Sequence, residues 1–493
     1  MNIYRKRSIF RQRSQSNVYR MFLWVVLILG GIWLIRGVQR GEIKPLFQPT
    51  ATPTRLAGSF ALEAEAQFTA GQLNAAITAY QEAVRVDPNN AEAWAKLARI
   101  QTYSTALLVT DPDRKARLAE ALESIDKAVA LAPEDSTVHA IRSFVLDWNA
   151  SPNLVCTAEE VSEKGTCKEV GKLLTEADQE ANRAIQLDST NILALAFYAE
   201  ILVDEQRWTQ ADQYISQALE SGSTVMDVHR VHAYVLESLG EYTLAIEAYD
   251  RAIAIAPNLT FLYLRAGANY RRLAFDSPNE EIQRQLYEKS LDYFAQCARI
   301  NQQLGVEDPV PYLSISRTYS QMGEFFIAAR NVQKALDFQP ANADIYGQLG
   351  VIYFKSRNYE GSIPAFQCAV RGCSGEDSCK GRGLDGCDDE NLPVTVEGLA
   401  LSPSTVVYYY TYGSVLAALS RPKDNHCGEA MDVLGEVKAA FSSDRDISGI
   451  VAAGEEICQS LAEGKGPSSN STPEATLTSE PVMTEAPIPS ATP

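Results

Sequence analysis

A short string of the form Ala-x-x-x-x-Pro returns along the chain, with a fixed pattern on either side of it. Copies stand at 83–88 (AVRVDP), 128–133 (AVALAP), 184–189 (AIQLDS), 252–257 (AIAIAP) and 335–340 (ALDFQP). Counted back from the last residue of each string, small residues recur at −5 and −12 and a usually bulky one at −8. The sets Ala76/Tyr80/Ala83, Ala121/Ile125/Ala128, Ala245/Tyr249/Ala252 and Ala328/Val332/Ala335 carry it, with weaker copies such as Ser290/Phe294/Cys297. Counted forward, a bulky residue comes at +6, an apolar or small one at +9, a small one at +10 and a bulky one at +13. Tyr263/Ala266/Gly267/Tyr270 and Tyr346/Leu349/Gly350/Tyr353 are examples. Steps of three, four and seven place side chains on one helix face. Each repeat therefore predicts two amphipathic helices, A and B. Gly71, Gly240 and Gly323 fall at the A–B turn, Pro ends helix B, and Asn or Asp often follows to cap the next helix. A unit of this size cannot bury its apolar face alone, so the units must stack.

The pattern resembles the tetratricopeptide repeat family over about residues 57–445. Segments 240–257 (GEYTLAIEAYDRAIAIAP) and 323–340 (GEFFIAARNVQKALDFQP) match its turn and helix B closely. About nine units are expected, with helix-B ends near 88, 133, 189, 223, 257, 302, 340, 374 and 442. Insertions fall at 149–171 and 372–404, and a capping helix at 446–465. The resemblance implies an all-α, right-handed superhelical solenoid with helix A lining a concave groove. It also implies that the chain holds other proteins and performs no catalysis.

Charge is distributed unevenly. The net charge is −18, yet residues 1–57 carry ten Lys/Arg and one acid, leaving −27 on the rest. Nucleic-acid binding needs clustered cations, so the body predicts no nucleic-acid partner. Residues 21–35 (MFLWVVLILGGIWLI) hold no charge, and six Lys/Arg precede them with no acid among them. A transmembrane signal anchor over 21–38 is expected, after a basic cytoplasmic segment 1–20, with the body extracytoplasmic. No small-x-small cleavage site follows the run. A Pro/Thr-rich linker (39–56) and a Pro/Thr/Ser-rich tail (466–493) lack the apolar residues to form a core and should be disordered.

Nine cysteines, with no CxxC pair, suit disulfides outside the cytoplasm. The repeat register favours Cys156–Cys167 and Cys427–Cys458. Cys368, Cys373, Cys379 and Cys387 allow three connectivities. Cys297 occupies a slot that Ala fills elsewhere and is expected as a buried thiol. The 368–387 spacings do not match zinc fingers or ribbons, and the nearby acids do not follow an EF-hand order.

The sequence holds few signs of catalytic chemistry. Residues 381–386 (GRGLDG) match GxGxxG literally, but the dinucleotide motif needs a strand before it and a helix after it. His139, His229 and His232 fall on packing slots, and no HExxH, GxSxG or P-loop is present. The expectation is a protein that is no enzyme and has no cofactor or metal. It would be a membrane-anchored scaffold for a protein or peptide partner. A passive envelope spacer, or a hydrolase or redox protein with an unrecognised site, are the alternatives. In the repeat register the groove face carries Arg230, Tyr234, Arg271, Arg272, Arg317, Phe354 and Lys355. That set predicts a partner segment with acidic groups or a free C-terminus. The competing expectation is that the arginines pair with acids on adjacent helices.

Overall fold

In a computed structural model the chain falls into two units, Met1–Arg55 and Leu56–Pro493. The structure describes residues 17–40 and 55–464, apart from 109, 157–159, 161–165, 222–223 and 389–391. The basic residues 1–16, the linker residues 41–54 and the tail 465–493 lie outside the described residues.

The first unit contributes α1 (Val18–Gln39), a helix whose 20-residue stretch Val18–Gly37 is long and apolar enough to cross a membrane. Its large side chains, Trp24 and Trp33 among them, are exposed rather than packed into a core.

The second unit is all-α among the described residues, with two isolated bridges and no strand. Its helices run as antiparallel A/B pairs. They are α2 (Ala57–Thr69) with α3 (Leu73–Val86), and α4 (Ala91–Ser104) with α5 (Asp111–Leu131). Next, α6 (Ser136–Asn149) pairs with α8 (Lys168–Leu187) across a loop that holds the short α7 (Pro152–Val155). Then come α9 (Ile192–Asp204) with α10 (Trp208–Glu220), and α11 (Met226–Ser238) with α12 (Tyr242–Ile255). The array continues with α13 (Thr260–Asp276) and α14 (Glu280–Leu304), α15 (Val310–Gln321) and α16 (Phe325–Phe338), and α17 (Ala343–Lys355) and α18 (Tyr359–Val370). After an insertion carrying α19 (Gly375–Gly381), α20 (Val406–Leu419) pairs with α21 (Cys427–Ala440). The closing helix α22 (Arg445–Ala462) packs on both.

Local chemistry explains the boundaries. Asn90, Asp135, Asn191 and Asn342 each accept from backbone N–H groups in the first turn of the following helix A. A second device ties the same corner. The +6 side chains Trp94, Tyr263 and Tyr346 donate to the carbonyls of Pro88, Pro257 and Pro340, 2.9–3.0 Å away. His139 stands at that position with its Nε2 2.8 Å from the Pro133 carbonyl. The bulky +6 residue thus needs a polar edge as well as volume. At the A–B turn Gly71, Gly240 and Gly323 take φ between 78° and 81°. Gln206 and Arg357 occupy the same left-handed slot in two other pairs, with φ 61° and 63°, where a Cβ is disfavoured.

The small residues of the repeat sit where helices touch. Ala76, Ala121, Ala245 and Ala328 are fully buried, and Tyr80, Phe294 and Phe366 fill the spaces between them. A Cβ on Gly267 would meet the Phe294 ring at 2.6 Å, so α13 and α14 approach as closely as glycine allows.

One continuous core runs from Ala64 to Ala266. Its continuity exceeds that of a linear stack, because the first two pairs fold back onto the fifth and sixth. Gly71 lies against the Asn258 carbonyl, Gln72 donates to the Leu304 carbonyl at 3.4 Å, and Tyr103 stacks on Phe261 at 5.2 Å between centroids. Pairs one to six therefore form a closed coil.

Disulfides join Cys156 to Cys167, Cys368 to Cys373, Cys379 to Cys387 and Cys427 to Cys458. The first brackets the loop after α7, the second ties α18 to the segment leading into α19, the third ties α19 to the segment that follows it, and the last ties α21 to α22. Cys297 is the free thiol among the described residues, buried on α14.

Candidate interaction groove

The inner face of the closed coil is built from the A helices, and each contributes polar groups one turn apart. α4 supplies Arg99 and Tyr103; α6 supplies Phe144, Asp147 and Trp148; α9 supplies Glu200 and Asp204. Asp227, Arg230, Tyr234 and Glu237 come from α11, and Phe261, Arg265 and Asn269 from α13. Arg99 pairs with Asp227 through Nε at 2.9 Å and through a second contact from Nη2. Tyr103 donates to the same carboxylate at 2.5 Å. Arg230 forks onto Glu200, with Nη1 at 2.8 Å and Nη2 at 2.5 Å, and its Nε donates to the Tyr103 hydroxyl at 3.1 Å. The Trp148 indole donates to Glu200 at 3.2 Å. Three aromatic rings, of Tyr103, Phe144 and Trp148, surround the Arg230 guanidinium at 5.3–5.9 Å. Farther along, Tyr234 donates to Asp204 at 2.5 Å, while Arg265 and Asn269 donate to Glu237 at 2.6 and 2.9 Å.

Three links of this network join residues 124 to 128 positions apart, Arg99 and Tyr103 on the second pair with Asp227 and Arg230 on the fifth. Burial alone would raise the Asp227 carboxyl, but Arg99, Tyr103 and Arg230 outweigh it and hold its pKa below the usual carboxylate range. Arg230 is likewise held charged against burial by Glu200. The network is a desolvated ion cluster whose charges are matched inside the protein.

The residues expected on a binding face therefore divide. Arg230 is 6% exposed and committed to Glu200, and Tyr234 is buried against Asp204. Arg271 is 2% exposed; it donates to the Ser314 carbonyl at 3.3 Å and lies over the Phe294 ring. Arg230 and Arg271 are both internal, for different reasons: Arg230 points across the closed coil to Glu200 and Tyr103, and Arg271 points into the seam that α13 makes with α14 and α15. Arg272 is exposed, pairs with Asp276 at 3.2 Å and covers Phe275. Arg317 on α15 is half-buried, and its charge reaches the Tyr408 hydroxyl. Phe354 is half-buried with its ring 5.6 Å from Tyr359, and Lys355 ends α17 half-buried beside it. The structure brings Arg230 and Tyr234 into one network and leaves Arg272, Arg317, Phe354 and Lys355 outside it.

The later A helices form a second inner surface. Asp344 on α17 accepts from Tyr408 and from Gln348, each at 2.8 Å, and α20 crosses so closely that a Cβ on Gly347 would strike the Tyr408 ring. The start of α5 approaches the same place, since the Asp344 charge acts on both Asp111 and Arg114. In the insertion, 381–386 runs from the end of α19 into a turn, with no strand before it and no helix N-terminus after it among the described residues. His426 faces Asp424 at 3.3 Å. No group of three or more His, Cys, Asp or Glu among the described residues is arranged to hold a metal.

The comparisons agree with the helix pairs. A family model described as TPR repeat matches residues 65–106, and one described as Tetratricopeptide repeat matches 199–260 and 313–377. The chain carries tetratricopeptide repeats. No curated protein matches it in sequence. Among solved structures, this repeat protein is similar to the human IFIT1 dimer with PPP-AAAA. The identity is 16%, with 83% of this chain and 92% of that one covered and a TM-score of 0.48. A tetratricopeptide repeat protein from Parabacteroides merdae matches at 16% identity over 60% of this chain and 98% of its own, with a TM-score of 0.33. YrrB, described as a TPR protein with an unusual peptide-binding site, matches at 18% identity over 48% and 99%, with a TM-score of 0.29.

Tetratricopeptide repeats suggest a protein-binding scaffold, and the side chains of the closed coil show why the first half offers little free surface for one. Arg99, Tyr103, Glu200 and Asp227 carry no motif. Glu200 does stand as a lone acid inside the apolar run 192–203, which is the one sequence signal of a buried ion pair.

Proposed function

We propose that this chain is a membrane-anchored, non-enzymatic scaffold that holds a protein or peptide partner on the extracytoplasmic side. The observation that carries this reading is a stacked repeat array, stapled by four disulfides, in a chain that also has one helix able to cross a membrane. Disulfides persist in oxidising compartments. The six Lys/Arg before the apolar run, against three shortly after it, support an N-terminus that stays inside. The recognition surface is the inner face of the later pairs, where Arg317, Phe354 and Lys355 lie, with the exposed Arg272 at its edge. Cations beside an aromatic ring suit a segment with acidic groups or a free C-terminus. A body of charge −27 has no matching attraction for a polyphosphate backbone.

The test has two arms on the full-length chain. A reporter fused after Pro493 should be active only outside the cytoplasm; cytoplasmic activity overturns the orientation. Replacing Arg317 and Lys355 by Glu together should abolish retention of co-purifying partners while leaving the melting temperature within about 2 °C. Unchanged retention overturns the groove, and a wild-type chain that retains no defined partner indicates a spacer.

A further inference from the structure

Inside the closed coil one charge is unaccounted for. Asp147 on α6 is fully buried, and neither carboxyl oxygen has a hydrogen-bond donor within reach. Its neighbours on α9 are two more acids, Asp204 and Glu200. From α11 come Arg230, whose fork is already spent on Glu200, and Tyr234, whose hydroxyl is spent on Asp204. Arg265 on α13 faces Glu237, and Arg99 and Tyr103 on α4 face Asp227. The other helices packed on α6 do not supply a cation either. Asp126 of α5 and Glu180 of α8 meet Arg142 and His139, more than a turn along α6 from Asp147. Three clustered carboxylates thus face one arginine.

Two carboxyl groups without a donor between them can satisfy each other only if one is a carboxylic acid. We propose that Asp147 and Asp204 share one proton, and that this proton locks the coil closed. With the proton, Asp147 becomes the missing donor and the seam between α6, α9 and α11 is neutral enough to stay dry. Without it, a second negative charge lies buried beside Asp204 and Glu200, and the seam opens to water. Burial first, then Asp204 and Glu200, push the Asp147 carboxyl well above the ordinary aspartate range. For a group raised in this way, the stabilisation is complete below the unfolded pKa and is lost as pH rises through the folded one. Opening the seam would uncover Tyr103, Phe144 and Trp148, an aromatic face that the closed coil hides. The chain then carries a proton-controlled gate between a shut coil and an interior available to a partner.

The experiment uses the full-length chain in nanodiscs. Infrared spectra in D2O at pH 8 should show the carbonyl stretch of a buried protonated carboxyl, and that band should vanish in Asp147→Asn or in Asp204→Asn. Hydrogen exchange should show protection in α6, α9 and α11 falling with pH relative to α20 and α21 of the same molecule, by up to about tenfold per pH unit for one proton. Either variant supplies an amide donor in place of the proton and should flatten that dependence. If one variant fails to fold, the other carries the comparison. A wild-type spectrum without the band overturns the proposal, as does a band that survives both substitutions. So does a variant whose exchange follows pH as the wild type does.

Discussion

Several side chains of this protein stand in conformations or protonation states that their type resists, and each such strain can be measured. Gln206 holds a left-handed backbone at the A–B turn where Gly71, Gly240 and Gly323 do so without cost, and its hydrogen bonds copy theirs. Gln206→Gly should therefore raise stability by about 0.5–1 kcal/mol, read as a higher urea midpoint with an unchanged slope. Asp308, just before α15, is nearly fully buried. It accepts from the Val310 N–H at 2.9 Å and from Asn301 at 2.8 Å. Burial outweighs both bonds and raises its pKa to about 7. A raised aspartate stabilises the fold fully below about pH 4 and loses that contribution as pH climbs through 7. Melting temperatures between pH 5 and 8 should fall more steeply in the wild type than in Asp308→Asn, whose amide stays neutral while Asn301 turns to accept from it. Neither feature was legible beforehand. The repeat pattern marks where a turn falls, but a residue's φ and the dryness of its surroundings depend on packing that the pattern does not encode.

For the helices themselves, the pattern of small and bulky residues was an adequate guide, because both helices of a pair bury one face and the spacing records which. Ala245 is fully buried on α12, while Glu247 two residues later is exposed. Ala245→Leu should overpack the α11–α12 contact and cost about 1–3 kcal/mol, whereas Glu247→Gln should shift the melting curve by less than about 0.5 kcal/mol. Equal effects would mean the helix faces are misassigned. The insertions were less legible. Their cysteines announced crosslinks, but whether Cys368 bonds Cys373 or Cys379 depends on how α19 leaves α18, and no periodicity records a loop's direction. The +6 position is legible in part: its bulk shows in the sequence, and its bond to the Pro-slot carbonyl does not.

At the scale of the molecule, the sequence predicts a stack and the structure bends that stack until its first pairs meet its fifth and sixth. Repeat spacing describes contacts between neighbours, and the Arg99–Asp227 and Arg230–Tyr103 contacts lie far beyond one repeat. This is why Arg230 was legible as a groove residue and yet is an internal one. Arg230→Ala should cost about 3–5 kcal/mol, since Glu200 would keep a buried charge with the Trp148 indole as a donor but no counter-charge. Limited proteolysis should then cut in the α4–α5 loop before the later pairs. The closure also bears on synthesis. The helices that complete the coil are made about 160 residues after Tyr103, which at 5–20 residues per second is a delay of roughly 8–30 s. Throughout that interval the nascent chain presents Arg99 and Tyr103 without the Asp227, Arg230 and Phe261 side chains that later cover them. The first pairs of this protein must wait, sticky and half-charged, for the fifth and sixth to emerge, so its yield should depend on translation speed and on whatever shields them meanwhile.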